Sequence, residues 1–269
     1  MNFNISRTRR SYEGNTNENQ SRTHYELNYL LSGHYKVFID HTLYYVEPGD
    51  AILVMPGMIH RTTYESGLVN ERVKVSFERE YLSGMEGVCG QEAVDYLFRN
   101  VKITAPHAGR PWLEEMLSRM ELEDAGRDGY SALLKRDYLY ELLVYFSRLQ
   151  ESEADHGRLE EAEEIIESAA AFIYSHYPEA ITLEEVAEMS RMSPAYFSRK
   201  FKAVTGFGYK EYLTNIRIRE ASKLLLHSDE SVTDIAVKCG FGDGNYFGDA
   251  FRKIKGVSPR AFRKMQGIP

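Results

Sequence analysis

One segment of this chain repeats another, and no other feature limits the architecture as strongly. At an offset of 49, Leu183-Glu-Glu-Val-Ala187 falls on Val232-Thr-Asp-Ile-Ala236. With one residue inserted, Phe197, Phe201, Val204 and Gly206 fall on Phe247, Phe251, Ile254 and Gly256 at an offset of 50. Each copy predicts two helices and a tight turn. The first helix opens on a capping box, Thr182 to Glu185, or on its weaker equivalent, Ser231 to Asp234. The second starts at Ser193 with Pro194 in its first turn, or at Asp243, and ends at Gly206 or Gly256.

In the second helix of each copy the apolar residues recur at i, i+4 and i+7, which makes one buried stripe and leaves the opposite face free. That free face carries Ala195, Ser198, Arg199 and Lys202 in the first copy, and Asn245, Gly248, Asp249 and Arg252 in the second. Small and polar residues followed by a cation suit a helix that enters a major groove. For either copy alone, a plain helical hairpin with a solvated outer face is the competing reading.

Charge is distributed to match. The whole chain has a net charge of -7, which taken alone argues against a polyanionic partner. Met189 to Pro269, however, holds 15 Lys and Arg against 7 Asp and Glu, a net +8, so residues 1–188 carry -15. An acidic body joined to a basic third describes two modules with different partners. A length of 269 residues agrees with two domains of ordinary size. The polar run from Gln150 to Arg158 marks the boundary: residues 151–157 are expected to be a linker and 158–269 the C-terminal domain.

Between the copies, Tyr212 to Leu226 predicts one helix of roughly 22 Å. With the flanking units added, the two outer-facing helices are expected about 34 Å apart, one turn of duplex DNA, so that one chain reaches two successive major grooves. Arg217, Arg219, Arg260, Arg263 and Lys264 are candidates for phosphate contact or for simple solvation.

The segment 159–266 resembles the DNA-binding domain of the AraC/XylS family of bacterial transcriptional regulators. The resemblance rests on Ile181-Thr-Leu-Glu-Glu-Val-Ala187, Ser193-Pro-Ala-Tyr-Phe-Ser-Arg-Lys-Phe-Lys202, Gly240-Phe-Gly-Asp243, Asn245-Tyr-Phe247 and Gly256-Val-Ser-Pro259. It implies two helix-turn-helix units, with Ser193, Ala195, Tyr196, Ser198, Arg199 and Lys202 at the DNA in the first. In the second it implies Gly244, Asn245, Tyr246, Asp249 and Arg252. One departure stands out: where the family usually has Ser-Arg after the aromatic of the second recognition helix, this chain has Gly248-Asp249. An Asp there cannot donate to guanine but can accept from cytosine N4.

Upstream, His24 to Phe77 breaks into six short segments rich in Tyr, Val and Leu: His24–Leu31, Tyr35–Ile39, Leu43–Val46, Ala51–Met55, Arg61–Tyr64 and Val73–Phe77. Turn residues separate most of them, which predicts a small antiparallel barrel or sandwich over residues 23–83. The expected fold class is therefore α+β in two domains. The spacing of Glu26, Gly33, Gly49-Asp50, Pro56-Gly57 and His60 resembles a cupin barrel, which implies a chamber for a small effector.

Metal-binding cupins add a His-x-His pair, and here Asn19, Gln20, Ser21 and Arg22 stand in its place. No metal and no cofactor are expected. His24, Glu26 and His60 are then polar groups of an effector pocket, the alternative for His60 being a turn histidine after Pro-Gly. Glu26 lies where a strand buries every second residue, and a buried carboxylate needs a partner.

Helical periodicity returns over residues 84–150, with stripes at Leu113, Met116, Leu117 and Met120 and at Leu139, Leu142, Leu143, Phe146 and Leu149. These helices are expected either to pack on the barrel or to pair two subunits. Residues 1–22, polar and Asn-rich, are expected to form a flexible arm. No nucleotide loop, hydrolase elbow or zinc helix is present in the sequence, so no catalytic residue is nominated. Cys239 is expected in the core, and Cys89 receives no role.

The reading is a cytoplasmic, effector-responsive, sequence-specific transcription regulator that binds double-stranded DNA, with no membrane partner. Family resemblance alone adds four implications: activation rather than repression, a homodimer, RNA polymerase as a partner, and sugars among the usual effectors. The linker and the helices from Trp112 to Leu149 are the expected bistable element. Two other readings compete. One is a cupin metalloenzyme (an oxygenase or isomerase) with a basic DNA-binding appendage, and the other a nonspecific architectural DNA binder.

Overall fold

The computed structural model describes residues 3–11, 14–15, 24–65, 67–98, 100–126, 128–150 and 161–265. The N-terminal half contains strands β1 (Phe3–Ser11), β2 (Gly14–Asn15), β3 (Tyr25–Ser32), β4 (Tyr35–Ile39), β5 (Thr42–Val46), β6 (Asp50–Val54), β7 (His60–Tyr64) and β8 (Val69–Phe77). Helices α1 (Ser83–Cys89) and α2 (Gln91–Leu97), strand β9 (Lys102–Thr104), and helices α3 (Arg110–Ala125) and α4 (Ser131–Gln150) follow. The C-terminal half is α5 (Glu161–Ser175), α6 (Leu183–Met189), α7 (Pro194–Thr205), α8 (Tyr209–His227), α9 (Val232–Lys238), α10 (Gly244–Lys255) and α11 (Pro259–Met265). The expected linker, 151–157, lies outside the described residues.

The strands make two antiparallel sheets in the manner of a jelly roll instead of one closed barrel. The first has the order β1-β8-β3-β6-β9 and the second β2-β7-β4-β5. A layer of Leu30, Ile52 and Val54 from the first sheet meets Tyr35, Val37, Ile39, Val46 and Tyr64 from the second. Because successive strand residues point to opposite faces, both outer faces are also apolar, and both are covered. Leu27, Tyr29, Leu53, Val73, Val75 and Phe77 on the back of the first sheet pack under α1–α4, against Leu113, Leu117, Met120, Leu142 and Phe146. Phe38 and Leu43 on the back of the second sheet pack against the C-terminal domain. This burial on both faces explains why β6 is buried along its whole length and reads as a continuous apolar run.

Two expectations need correction. Residues 3–11, expected in a flexible arm, form β1, which pairs with β8 over nine positions from Phe3↔Phe77 to Ser11↔Val69. Ile5 is buried, while Arg7 reaches Glu121 of α3 at 2.7 Å and Glu71 at 3.6 Å, so ion pairs take the place of the missing apolar residues. The segment 84–150 is not wholly helical, since β9 adds an edge strand to β6 with Ala51 opposite Ile103.

Candidate nucleic-acid interface and effector chamber

The two helix pairs are built by the caps the sequence supplies. Thr182 Oγ1 accepts from Glu185 N at 3.2 Å and Glu185 returns to Thr182 N at 2.7 Å, a reciprocal capping box. Ser231 Oγ caps α9 by accepting from Asp234 N at 3.1 Å. Ser193 Oγ accepts from Tyr196 N, and Asp243 Oδ1 from Asn245 N at 2.7 Å, which start α7 and α10. Both helices end on a left-handed glycine, Gly206 and Gly256, each at φ 77°, a conformation in which a side chain is strained.

Equivalent ring pairs fill the two interiors. Phe197 and Phe201 lie 5.4 Å apart in the first, Phe247 and Phe251 5.7 Å apart in the second. Cys239 is in the second of these cores, and burial pushes its thiol up to about 11, which keeps it protonated and unreactive. The joining helix α8 runs three residues further back and one further on than Tyr212–Leu226.

On the outer side, Ser193, Ala195, Tyr196, Arg199 and Lys202 are exposed and Ser198 is partly so. Gly244, Asn245, Tyr246, Asp249 and Arg252 are exposed in the second unit. Tyr196 and Tyr246 keep 48% and 56% of their surface in solvent, unusually much for large aromatics. Tyr246 Oη lies 3.4 Å from Thr214 Oγ1 of α8, in a groove that also includes Lys210, Asn215 and Lys253.

Several basic residues nominated for phosphate turn inward instead. Arg217 donates to the carbonyls of Tyr177 and Glu179 at 2.8 Å, and Arg263 to those of Leu225 and Glu230. Arg219 is 7% exposed and held by Asp40 at 2.6 Å and Glu220 at 2.9 Å. Backbone carbonyls near helix ends and two half-buried carboxylates compete successfully for these guanidinium groups. Arg260 and Lys264 remain exposed.

In the jelly roll, Glu26 and Asn28 share the inward face of β3 with Leu30, and His60 and Thr62 share that of β7 with Tyr64. The register places Ser76 and Lys74 of β8 beside Glu26 and Asn28 on the same face. His24 Nε2 lies 3.1 Å from Glu26 Oε1, and His60 Nδ1 3.4 Å from the Met58 carbonyl. The three nominated pocket residues therefore face the layer between the sheets. Asn28, Thr62 and Lys74 are additions that strand parity makes visible only once the register is known. Among the described residues no three His, Cys, Asp or Glu side chains converge as a metal site.

The seam between the domains went unforeseen. Alternate residues of the second sheet point outward onto helices 100 residues or more further along the chain. Arg61 is buried, donates to the Gly206 carbonyl and to Glu211 Oε1 at 2.8 Å, and stacks 3.9 Å over Phe207. A Cβ on Gly206 would collide with Arg61 Cδ and Cγ, so this close approach requires glycine as much as the cap does. Glu163 of α5 accepts from Lys36 and Tyr45, and Glu167 from the Leu43 amide. The Tyr212 hydroxyl donates to the Asp40 carbonyl, and burial raises its pKa well above 10. Phe38 fills the centre, 5.8 Å from Tyr212 and 6.5 Å from Phe207. Cross-domain contacts of this kind leave no local periodic signal.

Comparison with known proteins follows the same division. Residues 2–143 match the family model of an AraC-like ligand binding domain, and residues 186–265 that of a helix-turn-helix domain. The chain belongs to the AraC family. The AraC-family activator RhaS of Escherichia fergusonii is 34% identical over 153 residues, 56% of this chain and 53% of that one. RhaS of Salmonella arizonae is 31% identical over 188 residues, 69% of this chain and 64% of that one. The chain thus spans between half and two thirds of the length of these curated relatives. The C-terminal domain of AraT, a response regulator from Geobacillus stearothermophilus, shares 36% identity over 42% of this chain and 92% of that chain, with a TM-score of 0.39. No described helix of this AraC-family chain is long and apolar enough to cross a membrane.

Proposed function

We propose that the protein is an effector-responsive, sequence-specific transcriptional activator, cytoplasmic and without enzymatic activity, that reads two adjacent major grooves with α7 and α10. One observation carries this reading: two copies of one helix pair, joined by α8, each keep a second helix whose outer face is exposed and polar over a buried aromatic stripe. In the first unit the residues assigned to DNA are Ser193, Ala195, Tyr196, Ser198, Arg199 and Lys202. In the second they are Gly244, Asn245, Tyr246, Asp249 and Arg252.

His24, Glu26 and His60, with Asn28, Thr62 and Lys74, are assigned to the effector chamber. A set of hydroxyl, amide, carboxylate and ammonium groups on an apolar floor suits a polyol such as a sugar. β7 offers the path of coupling, because its inward His60 and Thr62 belong to the chamber and its outward Arg61 belongs to the seam. An effector alters DNA binding only to the extent that it binds the docked and released arrangements unequally. The helices α3 and α4, expected together with the linker to be the bistable element, cover the opposite sheet, and β7 adds a route that reaches the seam directly.

Pairing of two chains through α3 and α4 is favoured by exposed Leu122 of α3 and Tyr130 of the turn before α4, each 73% in solvent. RNA polymerase is the partner that activation requires.

The test is selection of duplexes from a random pool with the full chain, with and without candidate sugars. The expected result is one enriched site with two half-sites, whose recovery changes with the effector. A pool that stays random overturns the reading.

A further inference from the structure

The two reading helices align residue for residue at an offset of 50, and at one position the charge reverses. Tyr196 corresponds to Tyr246, and the cation Lys202 to the cation Arg252, but Arg199 corresponds to Asp249. Asp249 is no buried structural acid. Its side chain is 80% exposed, and its contact with Arg252, 3.6 Å away and 63% exposed, is a weak solvated pair that exchanges readily. It stands four residues after Asn245 and three after Tyr246, on the same exposed stripe of α10. An anion held there loses affinity against every phosphate, so it is suited to the task only if a base edge rewards it.

We infer that Asp249 is a specificity-determining residue that accepts a hydrogen bond from the N4 amino group of a cytosine in the half-site of the second unit; the inference rests on the DNA reading proposed above. Guanine and thymine offer only acceptors at this depth of the major groove and repel a carboxylate. Adenine presents its N6 donor beside the N7 acceptor, which faces the same carboxylate, whereas cytosine N4 has the C5–H as its neighbour. Both helices carry three cations, Arg199, Lys200 and Lys202 on α7 and Arg252, Lys253 and Lys255 on α10, but only α10 sets a carboxylate among them, so the second unit exchanges part of its general affinity for discrimination.

Selection from a random duplex pool is run with the full wild-type chain, with Asp249→Ser and with Asp249→Asn. The wild type is expected to enrich a C·G pair at one position of the half-site one turn from the Arg199-dependent one, by roughly five- to a hundredfold over the other pairs. Asp249→Ser loses that preference and binds random duplex more tightly. Asp249→Asn, of the same shape, moves the preference from cytosine to adenine. Arg199→Ala is the control: it weakens the site as a whole and leaves the cytosine preference in place. Base preferences unchanged in both Asp249 variants, or a cytosine preference lost with Arg199→Ala instead, overturn the inference while the enriched site still supports DNA reading. A wild-type pool with no enriched sequence overturns both.

Discussion

Gly206 and Gly256 end equivalent helices with the same backbone angle, yet Gly206 lies under the Arg61 side chain and Gly256 faces open space. The same contrast runs through both copies of the repeat. The first unit shares one apolar core with the jelly roll, where Phe38, Leu43 and Ile59 mix with Phe197, Phe201, Phe207 and Tyr212. The second unit closes its core with its own residues, Phe241, Phe247 and Phe251, against α8 and the Phe262 ring of α11. Duplication fixed the shape of both units. Their neighbours then tied one of them to the jelly roll and left the other to close its own core.

The comparison breaks most visibly at Phe38. Phe38→Ala removes a ring from the shared core and is expected to cost about 3–5 kcal/mol. If the core is common, hydrogen exchange accelerates in α5, α7 and α8 and stays unchanged in α10. Exchange confined to the jelly roll would mean the first unit is as independent as the second.

Asp40→Ala tests the polar half of the seam. It leaves Arg219 buried beside Glu220 with its strongest partner gone, and one nitrogen, Nη2, already lacks a hydrogen-bond partner among the described residues. A loss of about 3 kcal/mol in chemical denaturation is expected, together with easier proteolytic separation of the domains. No loss would show that water replaces Asp40 without penalty.

Arg199→Ala sharpens the functional side of the comparison. Specific binding is expected to weaken by about 1–3 kcal/mol with the unfolding midpoint unchanged, because Arg199 is exposed and packs on nothing the core needs. Equal affinity of wild type and variant for the selected site would remove it from the reading face.

A pH effect is expected of Lys255 at the end of α10. Burial, with Arg219 adding repulsion, lowers its pKa to about 8. Between about 8 and the ordinary value of 10.5 the unfolded chain holds a proton that the folded chain does not. Stability contributed by this residue therefore rises with pH across that window. Lys255→Met should flatten that rise in denaturation midpoints measured from pH 8 to 10. An unchanged slope would place the lysine in water.

Much of the helical half was legible because its determinants are local. Caps at Thr182, Ser193, Ser231 and Asp243, stop signals at Gly206 and Gly256 and apolar periods in between depend on residues within a turn of one another. The strands were legible for a similar reason: Tyr35–Ile39 is bounded by turn residues and appears as expected. β1 was not, because after Phe3 and Ile5 its alternation passes to Arg7 and Arg9, and the partner Glu121 lies 114 residues away. The inward turn of Arg217, Arg219 and Arg263 was equally hidden, since a guanidinium that caps a distant carbonyl has the same sequence context as one that waits for phosphate. Arg61, the residue on which the seam turns, sits in a strand whose pattern shows which face it occupies but not what lies opposite.

The proposed DNA reading requires α7 and α10 to grip one face of a duplex at the same time. The decisive measurement is the affinity of the full chain for its selected site before and after insertion of five base pairs, half a turn, between the half-sites. Simultaneous reading predicts that binding falls to the level of a single half-site and returns when the insertion is extended to a full turn only if the chain can stretch, which the continuous helix α8 forbids. Affinity that survives the five-base-pair insertion would contradict the account, because the two helices would then be engaging DNA independently.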